Sequence, residues 1–245
     1  MGTKKLKIFT IGYPDNTYTS YLFDYLIRHR ITIDGIIFPK NNLKRNLKRT
    51  IRKYQLHGLA PALKRIPENI LVRKKQISHL YQQNGTKVFY VDNINSDEVK
   101  HILLSNGAEL LLLTSAIIIK PILIDIDGLT ILNSHTGWLP KYRGYHANLK
   151  ALRDNHQPGV SIHRVIEKID AGEVYLREHF HINPNGGIPK QLDEKELYLA
   201  GKLLLEAVKL ISKNMLKPIA TNEPLGKYEP LLTKKERNKI INNLK

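Results

Sequence analysis

The chain has no cysteine. That absence rules out disulfides and thiolate metal sites and fits a reducing cytoplasm, the compartment expected for it. Acidic residues are scarce, with 22 Asp and Glu against 39 Lys and Arg and a formal net charge of +17. No apolar run approaches the roughly 20 residues that span a bilayer. The apolar stretch after the basic Met1 to Lys7 is too short for a signal peptide, and Met1-Gly2-Thr3-Lys4-Lys5-Leu6 lacks the serine or threonine of a myristoylation site. The chain is therefore read as soluble. Its 245 residues, 42% of them hydrophobic, are enough for one sizeable α/β domain with a modest extension.

The basic residues are not spread evenly. Between Lys40 and Lys75 twelve Lys or Arg stand against one acid, Glu68, and Leu43, Leu47 and Ile51 lie four apart beside a stripe of Lys44, Lys48 and Arg52. That spacing predicts a basic amphipathic helix, able to lie on anionic lipid, touch nucleic acid, gather a diphosphate-bearing substrate, or simply form a solvated face. Ahead of it, Leu6 to Gly12 reads as a strand, Thr17 to His29 as a helix carrying Tyr18, Tyr21, Leu22, Tyr25 and Leu26, and Ile31 to Phe38 as a second strand. A strand, helix, strand opening implies a right-handed crossover and a parallel pair. Further on, His146 to Arg153 is expected to be helical, and Val160 to Ile166 should pair with Val174 to Ile182. Asp193 to Ser212 opens on a capping-box pattern, Asp193 with Glu196, and Thr233 with Glu236 repeats it before a short last helix.

Leu129 to Gly172 carries the chemistry. The apolar run Leu129-Thr130-Ile131-Leu132 leads straight into Asn133-Ser134-His135. Side chains two apart on a strand share a face, so Asn133 and His135 should point the same way at the strand's carboxyl end, where open α/β sheets bind ligands. A turn with Asp170-Ala171-Gly172 could bring a carboxylate to the histidine. Acyl transfer between nitrogens passes through a tetrahedral oxyanion that a carboxamide N–H can stabilise. The attacking amine must lose a proton and the leaving nitrogen gain one, work suited to an imidazole oriented by a carboxylate.

Asn133-Ser134-His135-Thr136-Gly137-Trp138-Leu139-Pro140-Lys141-Tyr142-Arg143-Gly144, then Gly159-Val160-Ser161-Ile162-His163, then Asp170-Ala171-Gly172, together resemble the signature of formyltransferases that use 10-formyltetrahydrofolate. That family includes glycinamide ribonucleotide formyltransferase, methionyl-tRNA formyltransferase and the amino-sugar N-formyltransferases. The correspondence is good from about Ala108 to Arg177 and looser elsewhere. The resemblance implies a Rossmann-like α/β fold, a mostly parallel sheet flanked by helices, with a small helical C-terminal extension. Residues 1–189 would form the catalytic domain, interrupted by a basic insertion over 40–80, and residues 190–245 the extension. It implies Asn133, His135 and Asp170 as the catalytic trio, 10-formyltetrahydrofolate as formyl donor, and no metal. A folate pocket would use backbone at Ala116, Ile117, Ile118 and Ile119, and at Val165 through Ile169 to Asp170, although Ile117 to Ile119 equally suit a core.

The acceptor is narrowed by departures from the pattern. Glycinamide ribonucleotide formyltransferases hold the substrate phosphate on a glycine-rich turn after the first strand, whereas this chain has Gly12-Tyr13-Pro14-Asp15-Asn16-Thr17. Pro14 lacks a donor and Asp15 repels phosphate. The tRNA enzymes continue into a small β-barrel domain, but here some sixty helical-looking residues follow the catalytic region, so nucleic acid is not the expected partner. What remains is a nucleotide-linked amino sugar destined for surface polysaccharide, with a homodimer through Asp193 to Lys245 expected by resemblance. Glycinamide ribonucleotide as acceptor, then methionyl-tRNA, formyltetrahydrofolate hydrolysis and a non-catalytic folate-binding role stay as alternatives. Tyr13, Tyr145 and Trp138 are candidates to stack on a base, or half-buried packing residues.

Overall fold

A computed structural model describes residues 5–14, 16–40, 81 and 84–244. The expected basic helix, the insertion and the membrane contact assigned to 40–75 lie outside the described residues, except for Lys40. Within them, seven strands form one sheet in the order β3-β2-β1-β4-β5-β6-β7. In chain order these are β1 (Ile8–Ile11), β2 (Gly35–Pro39), β3 (Lys87–Val91), β4 (Leu110–Leu113), β5 (Thr130–His135), β6 (Gly159–Arg164) and β7 (Val174–His179). The first five run parallel; β6 and β7 are antiparallel. The helices of the described residues are α1 (Thr17–Arg28), α2 (Asp97–Ser105), α3 (Pro121–Ile124), α4 (Ala147–Arg153), α5 (Ile188–Ser212) and α6 (Lys234–Asn243). None is long and apolar enough to cross a membrane.

Two hydrophobic cores lie on the two faces of the sheet, and strand alternation assigns residues to them. Ile8, Leu110, Leu112, Leu132, Val160 and Ile162 join a core with residues of α1 and α5, while Phe9, Ile11, Leu111, Leu113 and Ile131 join one with Val99 and Leu103 of α2 and Leu123 of α3. Near-continuous apolar strands such as Leu110–Leu113 follow from burial on both faces. By the same parity Asn133 and His135 fall on the Ile131 face, and Ser134 on the α1 face, where it receives the Tyr18 hydroxyl at 3.1 Å.

The capping box at Thr233 and Glu236 is present at the start of α6. The one expected at Asp193 is not: α5 starts five residues earlier, at Ile188, after Gly187 and with Pro189 in its first turn. Proline there gives up only an amide that has no helical partner, and buried Ile188 and Leu192 extend the apolar stripe. Glu196 therefore sits inside the helix and accepts from Asn148 Nδ2 at 2.8 Å. Burial pushes its carboxyl up to about 8, the Asn148 bond opposes this and the charge of Asp193 adds to it. The folded chain thus keeps a proton that the unfolded chain releases near 4.5, so this group's contribution is full below that pH and is lost as pH rises through about 8. Because the side chain is only half-buried, water screens part of the effect. Glu196→Gln keeps the acceptor and removes the ionisation. It should leave the melting temperature unchanged at the acid end and raise it above the parent's past the folded pKa, by about 2–4 °C for ~1 kcal/mol; equal melting at both ends would contradict this.

Candidate active site

Asn133 and His135 end β5, and β6 lies antiparallel beside them with Asn133 opposite His163 and His135 opposite Ser161. Directly paired residues share a face, so His163 meets Asn133. The Asn133 Nδ2 to His163 Nε2 distance is 3.1 Å. The loop between β6 and β7 brings Asp170 to the same place, with Oδ1 3.7 Å from His135 Nδ1 and 3.7 Å from His163 Nε2. The three residues read from the sequence are thus brought together, and His163 makes a fourth.

Backbone carbonyls fix both imidazoles. His163 Nδ1 lies 2.9 Å from the Arg164 carbonyl, which can only accept, so Nδ1 carries the hydrogen and Nε2 takes one from the Asn133 amide. Burial drives the His163 pKa down to about 4, the neighbouring His135 pushes the same way, and Asp170 and the Arg164 carbonyl oppose. His163 is therefore neutral near pH 7, as an acceptor must be. His135 Nε2 lies 2.8 Å from the Tyr142 carbonyl, which places its hydrogen there. Its Nδ1 then faces Asp170.

Three consecutive residues support this arrangement. The Tyr142 carbonyl receives His135, the Arg143 guanidinium donates from Nε to the Ile169 carbonyl at 3.0 Å, and Gly144 N donates to Asp170 Oδ2 at 2.9 Å. This gives a physical reason for Tyr-Arg-Gly to accompany Asn-x-His and Asp-x-Gly in one chain. Gly137 has a related task. A Cβ there would stand 2.4 Å from Ala147 Cβ, 2.6 Å from His135 Nε2 and 2.9 Å from the Tyr142 carbonyl oxygen, so only glycine lets the imidazole reach that carbonyl.

The expected folate positions divide. Ile119 is buried in the core beneath the sheet, Ile117 and Val165 are half-buried against that core, and Ala116, Ile118 and Ile169 are exposed. Asn95 ties the first of these loops, donating to the Ile118 carbonyl at 2.9 Å and accepting from Lys120 N at 2.8 Å. Trp138 is engaged by the protein itself: its ring stacks on His179 at 3.6 Å and lies 4.1 Å from the Arg177 guanidinium. At the start of α1, Asn16 Oδ1 accepts from Tyr18 N at 2.8 Å and Thr19 N at 3.2 Å. Among the described residues no cluster of three or more His, Cys, Asp or Glu is placed to hold a metal ion.

A family model described as Formyl transferase matches residues 55–208. The chain belongs to the formyl transferase family. Among curated proteins, the methionyl-tRNA formyltransferase of Natranaerobius thermophilus is 29% identical over 161 residues, 63% of this chain and 50% of that protein. The chain thus spans about half the length of this curated relative. Among solved structures, a sugar N-formyltransferase from a Shewanella species superimposes with a TM-score of 0.59 at 15% identity, covering 91% of this chain and 76% of that one. Phosphoribosylglycinamide formyltransferase from Anaplasma phagocytophilum gives 0.63 at 17% identity, covering 93% and 100%. At these identities the structures show a shared fold.

Proposed function

We propose that the protein is an N-formyltransferase, moving a formyl group from 10-formyltetrahydrofolate to a primary amine, with Asn133, His135 and Asp170 as the catalytic residues. The convergence of these three groups on one face, with both imidazole tautomers fixed by backbone, carries the reading. Asn133 gives one amide hydrogen to His163; the other, on the same nitrogen, is the donor for the oxyanion that forms as the amine adds to the formyl carbon. His135 Nδ1 takes the proton the amine loses and returns it to the departing nitrogen, and Asp170 stabilises the imidazolium in between. His163 acts through Asn133, holding its amide nitrogen rather than its oxygen toward the reaction. The exposed Ile118, Ile166 and Ile169 offer apolar surface for a pterin, beside backbone at Ala116, Ile117, Ile119 and Val165. The folate supplies the activated formyl group and the leaving nitrogen.

For the acceptor we favour a nucleotide-linked amino sugar. The Tyr18 and Thr19 amides at the start of α1 are already taken by Asn16, so the helix start that would otherwise cradle a phosphate has two of its donors occupied. Sugar N-formyltransferases and glycinamide ribonucleotide enzymes share this fold alike, so the occupied helix start carries the preference. A methionyl-tRNA acceptor is the second reading, favoured by the sequence relatives. Formyl uptake from 10-formyltetrahydrofolate should be screened with amino-sugar nucleotides, glycinamide ribonucleotide and methionyl initiator tRNA side by side. Preference for an amino-sugar nucleotide is the expected result. Efficient uptake by glycinamide ribonucleotide or the tRNA would reassign the acceptor, and formate release with no amine present would make the enzyme a hydrolase.

A further inference from the structure

The stretch between α5 and α6 has no regular structure, and from Ile219 to Glu229 its large side chains Ile219, Leu225 and Tyr228 are exposed by 37%, 43% and 40%. Leu216 and Leu232 pack into the core at its two ends, but apolar burial does not hold 219–229 down. Directional polar contacts do, several of them to the loop that supports the site and the rest to β7 and α4. Ile219 N donates to the Val174 carbonyl at 2.8 Å, and Gly226 N to the Pro140 carbonyl at 3.0 Å. The Glu223 carboxylate receives Trp138 Nε1 at 3.2 Å and pairs with Arg177 at 3.0 Å. The Glu229 carbonyl receives Lys150 Nζ at 3.1 Å, a lysine almost fully buried whose pKa burial pulls down while the Glu229 carboxylate holds it up. At Gly226 the approach is backbone on backbone, for a Cβ would sit 1.8 Å from the Lys141 carbonyl oxygen.

The contact that matters most is with Arg143. Its guanidinium is buried and spans two carbonyls: Nη1 donates to Gly226 at 3.0 Å, while Nε donates to Ile169 at 3.0 Å and Nη2 to the same oxygen. Ile169 immediately precedes Asp170, which sits at φ 49° in the left-handed region. A buried guanidinium must have its donors satisfied. If the Gly226 carbonyl left, Nη1 would lose its acceptor and the side chain would turn to water or another carbonyl, loosening its hold on Ile169. The family model ends at residue 208, so this part of the chain lies outside the region it matches.

We propose that Arg143 is a positioning residue that links the strap over residues 219–229 to the aspartate loop, so that the docked strap sets the place of Asp170 against His135 and His163. Only the turnover arm of the test rests on the formyl-transfer reading. Gly226→Ala evicts the strap, because no room exists for a methyl group, and Arg143→Lys keeps the charge but cannot reach both carbonyls with a fixed fork. Trp138 is the single tryptophan of the chain, and it touches Glu223, so its fluorescence reports docking. The imidazole NMR resonances of His135 and His163 report the position of Asp170, with Asp170→Asn as reference.

In Gly226→Ala the tryptophan emission should shift, both imidazoles should move as they do in Asp170→Asn, and turnover should fall by roughly 10- to 100-fold, as a misplaced group does, at folate and acceptor concentrations that saturate the parent. Arg143→Lys should move the same imidazoles. If Gly226→Ala does not fold, Glu223→Ala releases the strap more gently and is read by the two imidazoles alone, because loss of the carboxylate beside Trp138 changes its emission directly; unmoved imidazoles then overturn the proposal. Shifted emission with unmoved imidazoles overturns the proposal, and so does a Gly226→Ala protein with parental emission. A parent that transfers no formyl group to any amine would remove the functional reading while the two spectroscopic arms still decide the linkage.

Discussion

Asn133→Ala is expected to lower turnover by about 100- to 1000-fold, the range seen when one oxyanion donor is removed. The amide sits at the end of β5 and is held from behind by His163 Nε2 at 3.1 Å, so its remaining N–H is fixed in direction before any substrate arrives. Preorganisation is what makes such a donor effective, since nothing has to reorient as charge develops on the formyl oxygen. The loss should appear in kcat and in kcat/KM alike, because the bond strengthens only as the oxyanion forms. Asn133→Asp provides the sharper comparison. A carboxylate has no hydrogen for His163 or for the oxyanion and would repel the latter, so it should be at least as damaging as alanine. Steady-state kinetics on the folded variants checks both, and near-parental turnover by either would remove Asn133 from the mechanism.

Gly137→Ala is expected to be almost as costly, although the residue itself takes no part in the chemistry. The added methyl would meet Ala147 Cβ at 2.4 Å, His135 Nε2 at 2.6 Å and the Tyr142 carbonyl oxygen at 2.9 Å. None of the three is the free end of a flexible chain. Ala147 opens α4 in the buried cluster with Tyr142, and the other two are bonded to each other at 2.8 Å. The imidazole is the part most able to yield, and its tautomer is set by the bond it would lose. Overpacking of this kind typically costs about 1–3 kcal/mol, lowering the melting temperature by several degrees. Turnover should drop by about 100-fold, as expected for a displaced catalytic group. A variant that melts lower but turns over like the parent would show that the Tyr142 carbonyl is not what orients His135.

The sequence made the fold and part of the site readable for identifiable reasons. Asn133 and His135 were accessible because alternation along a strand is strict and the apolar residues before them mark which face is buried. The parallel β1 and β2 pair followed from strand, helix, strand order. His163 was visible as a strand residue and as part of the signature, but not as a partner of Asn133; that role depends on the register that sets it opposite Asn133, and register requires knowing that β6 turns back beside β5. Tyr142, Arg143 and Gly144 were legible as a pattern but not as a mechanism. Two of them act through a carbonyl or an amide that every residue possesses, so residue type says nothing about the contact. Glu196 was misread as a capping residue because the same spacing occurs inside helices, and Gly187 with Pro189 marks the real start. The strap gives no periodic signal, since it is held by backbone groups and single side chains.

The left-handed backbone at Asp170, φ 49°, decides how its charge should be removed. Aspartate and asparagine both occupy that region with little penalty, whereas alanine does so at a cost of order 1 kcal/mol or more. Asp170→Asn therefore neutralises the carboxylate in place and keeps an oxygen for the Gly144 amide, while Asp170→Ala would change electrostatics and loop geometry together. Any comparison of activities built on the alanine form would confound two causes, and only the asparagine form isolates the negative charge.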